Sequence, residues 1–359
     1  MTLEISIANR KIGTAYPPYV IAELSANHNG SVETAIRLID EAKQAGADAV
    51  KLQTYTPDTI TLDSQADDFQ IHGGLWDGRT LYELYAQAHM PWEWHKPLFD
   101  HARKVGITIF SSPFDNSAVD LLEDLNTPAY KIASFEIVDL PLIAYAARTL
   151  KPLIISTGMA SLEEIKEATE VAREAGCTEL AILRCVSSYP APPAEYNLRT
   201  LNDMASRFKL ITGLSDHTLD NTTAIASIAM GASIIEKHFT ISRLGGGPDD
   251  SFSLEPDDMK ALCAAAKIAW QSLGGVDYSL KPSEQENIKF RRSLYFVKNL
   301  RSGEVIPAEA VRSVRPGFGL APKMLEAVVG ATASRDIAWG TPVTLDDFDL
   351  SNKLISVIS

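Results

Sequence analysis

From Tyr19 to Leu273 short apolar runs alternate with longer amphipathic stretches. The runs are Tyr19–Glu23, Ala49–Gln53, Ile107–Ser112, Ala129–Ser134, Leu153–Thr157, Leu180–Cys185, Leu210–Leu214 and Ser233–His238. Rich in Val, Ile and Leu and too brief for helices, they predict parallel strands covered on both faces. Between them Ser31–Ala45, Trp92–Val105, Leu162–Ala175, Thr222–Met230 and Pro256–Leu273 carry helical periodicity. Gly46, Gly106 and Gly176 follow such stretches and suit left-handed C-terminal caps. Eight strand–helix units in about 255 residues predict an α/β fold, a closed (β/α)8 TIM barrel. An open doubly wound sheet is the competitor. It would more often carry a Gly-x-Gly-x-x-Gly turn after its first strand, where this chain has Ser25-Ala26-Asn27-His28-Asn29-Gly30.

Thr54 to Pro91 is long for a connection and rich in aromatics, Trp76 among them, which predicts a packed cover over the barrel mouth. After Gly274-Gly275 the pattern changes. The expected organisation is a barrel domain over 1–277, a polar linker over 278–292 and a small β-rich module over 293–359. Within that module Asn299–Ile306 is echoed by Asp336–Val343, which predicts two copies of one β-element related by a pseudo-twofold axis.

The formal charge of −13 argues against a nucleic-acid partner, which would need a basic face. It leaves room for an anionic substrate held by a few lysines in a low-dielectric cleft. Cys177, Cys185 and Cys263 show no paired spacing, so neither a disulfide framework nor a zinc knuckle is expected. The first residues lack the apolar core of a signal peptide, and no apolar run is long enough to span a bilayer. The expectation is a cytoplasmic protein with no membrane partner.

In a barrel of this kind the chemistry lies at the C-terminal ends of the strands. Read in order, those ends offer Glu23; Lys51 and Gln53; Ser111 and Ser112; Lys131, Ser134 and Glu136; Ser156 and Thr157; Arg184, Ser187, Ser188 and Tyr189; Asp216 and His217; and Glu236, Lys237 and His238. Ionisable groups inside apolar strands are costly unless paired, so a ring of them marks a site for a charged ligand. Lysines and hydroxyls supply donors to a phosphate or carboxylate. If the last two strands are parallel neighbours ~4.8 Å apart, His217 and His238 reach one metal ion. Two imidazoles are too few for a closed structural zinc site and suit Mn²⁺ or Mg²⁺ with water or substrate oxygens. Glu23, Glu136 or Glu236 could each handle a proton. Gly245-Gly246-Gly247-Pro248-Asp249 allows close backbone approach to a ligand, or is simply a turn.

Six ordered segments carry a family resemblance: Ile-Ala-Glu-Leu-Ser-Ala-Asn-His-Asn-Gly from Ile21, Ala-Asp-Ala-Val-Lys-Leu-Gln-Thr-Tyr from Ala47, Tyr-Lys-Ile-Ala-Ser-Phe-Glu from Tyr130, Ile-Ser-Thr-Gly-Met from Ile155, Leu-Ser-Asp-His-Thr from Leu214 and Glu-Lys-His-Phe-Thr from Glu236. They resemble the sialic acid synthase family, which condenses phosphoenolpyruvate with an acylamino sugar. Trp-Asp-Gly-Arg-Thr-Leu-Tyr-Glu-Leu-Tyr from Trp76 and Pro-Trp-Glu-Trp-His from Pro91, with Leu-Ser-Ala-Asn-His-Asn from Leu24, are similar to the branch that makes pseudaminic acid. The tail from Ser293 is similar to the family's antifreeze-like (SAF) domain.

The resemblance implies a barrel plus SAF domain and a homodimer with swapped C-terminal domains, in which Arg315 reaches the partner's sugar. It places a divalent metal (Mn²⁺ or Mg²⁺, possibly Co²⁺) on His217 and His238. Phosphoenolpyruvate falls to Lys51, Ser112, Lys131, Ser134, Ser156 and Ser187. The active-site carboxylates fall to Glu23 and Glu136, and the sugar side to Tyr189, Asp249 and Gln53. Ser187 stands where sialic acid synthases have an asparagine, and one hydroxyl cannot repeat an amide's contacts. The implied reaction joins phosphoenolpyruvate to 2,4-diacetamido-2,4,6-trideoxy-L-altrose, with N-acetylneuraminate or legionaminic acid synthesis as the nearest alternative. More remote are a Schiff-base aldolase using Lys51, Lys131 or Lys237, and a non-catalytic sugar-binding protein.

Overall fold

A computed structural model describes residues 3–349 as two compact units that divide between Gly274 and Gly275. In the first, a hairpin of β1 (Ile5–Ile7) and β2 (Arg10–Ile12) precedes eight parallel strands. These are β3 (Tyr19–Glu23), β4 (Ala49–Thr54), β5 (Thr108–Pro113), β6 (Tyr130–Ile132), β7 (Leu153–Ser156), β8 (Leu180–Cys185), β9 (Ile211–Asp216) and β10 (Ile234–His238). Each pairs with the next, and β10 closes on β3 to complete the barrel expected from the periodicity. Helices such as Val32–Ala45, Trp92–Val105 and Pro256–Leu273 wrap it. Gly46 and Gly106 close two of them at φ 93° and 75°, a region costly for any residue with a Cβ.

Alternation along the strands sorts their side chains. Val20, Val50, Leu52, Ile155, Ile182, Leu214 and Ile235 face the helices in the main core. Tyr19, Ile21, Ala49, Phe110, Ile154, Leu183, Ile211 and Ile234 form a separate cluster with Ile5, Ile7 and Ile12 of the hairpin. That cluster fills the N-terminal half of the barrel interior, and the hairpin stops its lower end. The hairpin was absent from the periodicity reading because each arm is three residues long and its Ala8-Asn9 turn lacks glycine, although both residues sit at positive φ.

The fourth expected run, Ala129–Ser134, differs. Its strand stops at Ile132, and a 3-10 turn over Ser134–Glu136 carries the chain across the mouth. The segment from Thr54 to Pro91 holds a short helix, Pro57–Ile60, and a longer one, Leu81–Ala88. Thr80 and Glu83 form a reciprocal capping box that starts the latter. Behind the strand ends, Thr54 Oγ1 links two elements: it bonds His95 Nε2 at 2.9 Å and Ser111 Oγ at 2.6 Å. His95 Nδ1 faces the Pro91 carbonyl at 3.3 Å, so that nitrogen donates and Nε2 accepts from Thr54.

The second unit has its own core of Leu294, Phe296, Ile306, Val311, Val328, Ile337, Val343 and Phe348. Its strands are β11 (Ser293–Phe296) with β12 (Val311–Val314), and β13 (Thr332–Ala333) with β14 (Phe348–Asp349). The internal echo is a true pairing. Leu300 and Ile337, equivalent positions of the two copies, exchange backbone hydrogen bonds at 2.9 and 2.8 Å. Asp336 caps the Ser302 N–H, and its counterpart Asn299 caps that of Trp339. The segment expected as linker contains a 3-10 stretch, Pro282–Phe290, and belongs to this unit; residues beyond Asp349 in the module expected over 293–359 lie outside those described.

Replacing Thr54 with valine keeps the shape but strips one partner each from His95 and Ser111. The expected cost is about 1–3 kcal/mol, read as a lower denaturant midpoint at unchanged slope.

Candidate active site

Above the apolar cluster the inward positions turn ionic. Lys51 Nζ lies 2.7 Å from Glu23 Oε2 and 3.6 Å from Glu236 Oε1, and donates to Ser112 Oγ at 3.2 Å. Lys131 Nζ lies 3.2 Å from the same Glu236 oxygen, which also accepts from Ser215 Oγ at 3.3 Å. All four charged side chains are 5 % exposed or less. Burial opposes ionisation of Glu236, but Lys131 and Lys51 outweigh it and hold its carboxyl below the usual range. Burial alone would strip Lys51 of its proton; Glu23 and Glu236 reverse that and raise it. Lys131 is lowered, because burial outweighs the pull of Glu236. Burial likewise pushes Glu23 up against the pull of Lys51. Two lysines and two glutamates therefore share one dry layer, with Lys51 and Glu236 held in their charged forms and Lys131 and Glu23 pushed toward neutrality.

One layer higher stand the histidines. The ring centroids of His217 and His238 are 5.4 Å apart. His217 donates from Nδ1 to the Val186 carbonyl at 2.8 Å, which leaves Nε2 as its lone-pair nitrogen. His238 Nδ1 is buried with no hydrogen-bond partner, and Asp249 Oδ2 is 3.9 Å away. Burial, then His217 and the lysines, hold His238 well below the usual imidazole range, so its ring is neutral at pH 7. The Tyr189 ring lies 4.3 Å from that of His217 and 5.7 Å from that of His238. Asp249 accepts a short hydrogen bond from Ser25, and Gln53 Nε2 bridges Glu23 Oε1 and Ser25 Oγ at 3.0 Å each.

The hydroxyls cluster where β7 and β8 end. Ser156 Oγ and Ser187 Oγ are buried without a hydrogen-bond partner, as are Glu136 Oε2 and Glu236 Oε2. Buried polar atoms are nearly always paired, so such a concentration marks a place built for a guest. Gly158 makes the close packing possible. Its N–H donates to Ser134 Oγ at 3.1 Å, and a Cβ there would collide with Ser187 Oγ and stand 2.7 Å from Ser134 Oγ. Burial raises the Glu136 carboxyl to about 7.

Strand parity divides the residues expected at the mouth. Glu23, Lys51, Gln53, Ser112, Lys131, Ser134, Glu136, Ser156, Ser187, Tyr189, His217, His238 and Asp249 all lie at the barrel's C-terminal end. Lys237 and Asp216 point the other way, paired at 3.1 Å behind the sheet, where Lys237 also donates to the Thr218 and Asp220 carbonyls at 2.7 Å. Arg184 likewise turns outward onto the Tyr196 carbonyl. Lys237 is therefore structural and no Schiff-base candidate. Arg315 is exposed in the second unit, just past β12. Glu236, weighed only as one of three proton carriers, proves to be the hub of the ionic layer. Its signal was there: two residues before His238, it must face the same way.

Comparison with known proteins agrees with this geometry. The NeuB family model matches residues 38–278 and the SAF domain model residues 291–349. A pseudaminic acid synthase of Helicobacter pylori is 43% identical over 336 residues, 93% of this chain and 99% of that protein. An N,N'-diacetyllegionaminic acid synthase of Campylobacter jejuni is 36% identical, over 88% of this chain and 96% of its own length. Among solved structures, the N-acetylneuraminic acid synthetase of Leptospira borgpetersenii superposes with TM-score 0.72 at 31% identity, covering 81% of this chain and 97% of that one. With the closed barrel, the ionic layer and the paired histidines at its mouth, the chain belongs to the NeuB family and ends in an SAF domain.

Proposed function

We propose that the chain is a pseudaminic acid synthase, joining phosphoenolpyruvate, 2,4-diacetamido-2,4,6-trideoxy-L-altrose and water to give pseudaminic acid and phosphate. The observation that carries this reading is the buried pair Lys51 and Lys131 beneath His217 and His238, a seat for an anion under a seat for an oxygen-bound cation. The resemblance to the Helicobacter and Campylobacter pseudaminic acid synthases, at 43% identity over more than nine-tenths of the chain, favours this sugar over the legionaminic acid precursor.

Lys51 and Lys131, with Ser112, Ser134, Ser156 and Ser187, bind and orient phosphoenolpyruvate, so that positioning supplies much of the rate. Tyr189, Gln53 and Asp249 line the sugar side. Arg315 is read as reaching the sugar from the partner subunit of a domain-swapped homodimer. The enol carbon forms a C–C bond with the aldehyde carbon, and the aldehyde oxygen takes up a proton from solvent, which is returned when Glu136 releases the one it removes from water. Water adds to the cationic C2 that results. Glu136 takes the proton of that water, while Glu23 stabilises the positive charge. The bond between C2 and the phosphate oxygen then breaks, the proton of the new C2 hydroxyl passes to the departing phosphate, and the ketone forms.

His217 and His238 fit a divalent cation. One ring has its nitrogen fixed by Val186, and the other has a buried nitrogen without a hydrogen-bond partner. Among the described residues no group of three or more His, Cys, Asp or Glu is arranged to hold a metal, so a cation on these two rings would need substrate or water oxygens to complete its shell. Such a cation, Mn²⁺ or Mg²⁺ and possibly Co²⁺, supplies Lewis acidity toward the aldehyde oxygen. No helix among the described residues is long and apolar enough to cross a membrane, and we place the enzyme in the cytoplasm with its phosphorylated substrate.

In ¹⁸O-labelled water the label is expected in the sugar acid; label in phosphate would exclude C–O cleavage. Replacing His217 or His238 by alanine should weaken Mn²⁺ binding, measured calorimetrically, by at least ~10-fold and lower turnover in parallel. Full metal affinity in both variants would remove the histidines from that role. With its carboxyl raised to about 7, Glu136 is protonated below that pH and ionised above it. As the base it makes kcat rise with pH through about 7. Glu136→Gln should flatten that limb and lower kcat ~10²–10⁴-fold.

A further inference from the structure

The loop that carries Trp76 is exposed on both sides of it: Leu75 is 54 % exposed, and Asp77 and Gly78 are also in solvent. Trp76 alone turns inward. Its indole N–H donates to the Pro248 carbonyl at 3.3 Å, beside Asp249, and its ring centroid lies 6.3 Å from that of Tyr189. The Tyr189 ring stands over His217 and is 5.2 Å from Phe252, which is itself 5.2 Å from His238. The histidines thus stand over an ionic layer and under an aromatic roof. The roof has two polar edges, the indole N–H, which Pro248 engages, and the Tyr189 hydroxyl; Trp76 and Phe252 present only ring faces to it otherwise.

This division is informative about the guest. A polyhydroxylated sugar gains from hydrogen-bonding walls, and an aromatic wall strands any hydroxyl turned toward it. A deoxy position or an acyl methyl meets such a wall at no polar cost and buries apolar surface against it. We infer that Trp76 is a specificity-determining residue, its indole completing with Phe252 and the Tyr189 ring an aromatic roof, apolar but for the Tyr189 hydroxyl, that selects deoxy, acylamino sugars over their hydroxylated counterparts. The inference rests on the synthase reading above and adds to it the part of the site that distinguishes one sugar from another. The bland alternative is that Trp76 only pins the Pro248 loop, in which case all sugars suffer alike when it is removed.

The test compares kcat/KM for 2,4-diacetamido-2,4,6-trideoxy-L-altrose with that for its 6-hydroxy counterpart, by phosphate release, in wild type, Trp76→Phe and Trp76→Ala. Wild type should prefer the deoxy sugar, and Trp76→Ala should lose about tenfold of that preference. Trp76→Phe, which keeps an aromatic face but loses the bond to Pro248, should hold the preference within about threefold, and KM for phosphoenolpyruvate should stay within about twofold in both. If Trp76→Ala lowers the melting temperature, Trp76→Gln is read in its place with the same expected drop. An unchanged preference in the alanine or glutamine variant, or an equal loss for both sugars, overturns the inference while leaving the synthase reading intact. Failure of wild type to release phosphate with either sugar overturns both.

Discussion

Four buried charges govern this molecule. Lys51 and Lys131 are affordable inside a barrel only because Glu23 and Glu236 neutralise them within 4 Å, and the carboxylates depend on the lysines in the same way. Removing one member strands a charge in low dielectric, which costs far more than the pair contributes when intact. Each comes from a different strand, β3, β4, β6 or β10, so all must be in register before any is satisfied. The ionic layer therefore specifies barrel closure as much as it serves a ligand. It also leaves the lysines poised as donors, with the negative charge of the glutamates offset so that it does not repel an incoming anion.

Everything above and below follows from the two-residue period of the strands. Isoleucines and aromatics occupy the inward positions near the N-terminal end, charges come next, and imidazoles, hydroxyls and Tyr189 follow. Outward positions carry a second set of polar contacts with a different purpose: Lys237 with Asp216, and Thr54 with His95 and Ser111, fasten the sheet to its surroundings. Neighbouring residues such as Lys237 and His238 thus do unrelated work. The polar interior is then roofed by rings from loops that are far apart in the chain.

Much of this was legible without coordinates. The eight strands announced themselves because buried parallel strands are continuous apolar runs, and glycine caps marked where helices stop. The same apolar continuity hides which way each side chain points. Lys51, Lys131 and Lys237 looked alike as strand-end lysines, yet parity puts two inside and one outside. Glu236 was undervalued for that reason, and applying the period backward from His238 would have placed it. The hairpin escaped because its arms are too short for any period to emerge. The roof over the histidines depends on loop paths, and no local pattern encodes how Trp76 comes to lie beside Tyr189.

The small hairpin at the bottom has an effect out of proportion to its six strand residues. With Ile5, Ile7 and Ile12 it completes the apolar packing that fills the lower half of the barrel, so the polar interior is reached from one end. With one entrance depth becomes sequence in time. Whatever seats on the lysines has to pass the level of the histidines on its way in. The stacking of layers along the strands is thereby a queue, in which the deepest guest is first in.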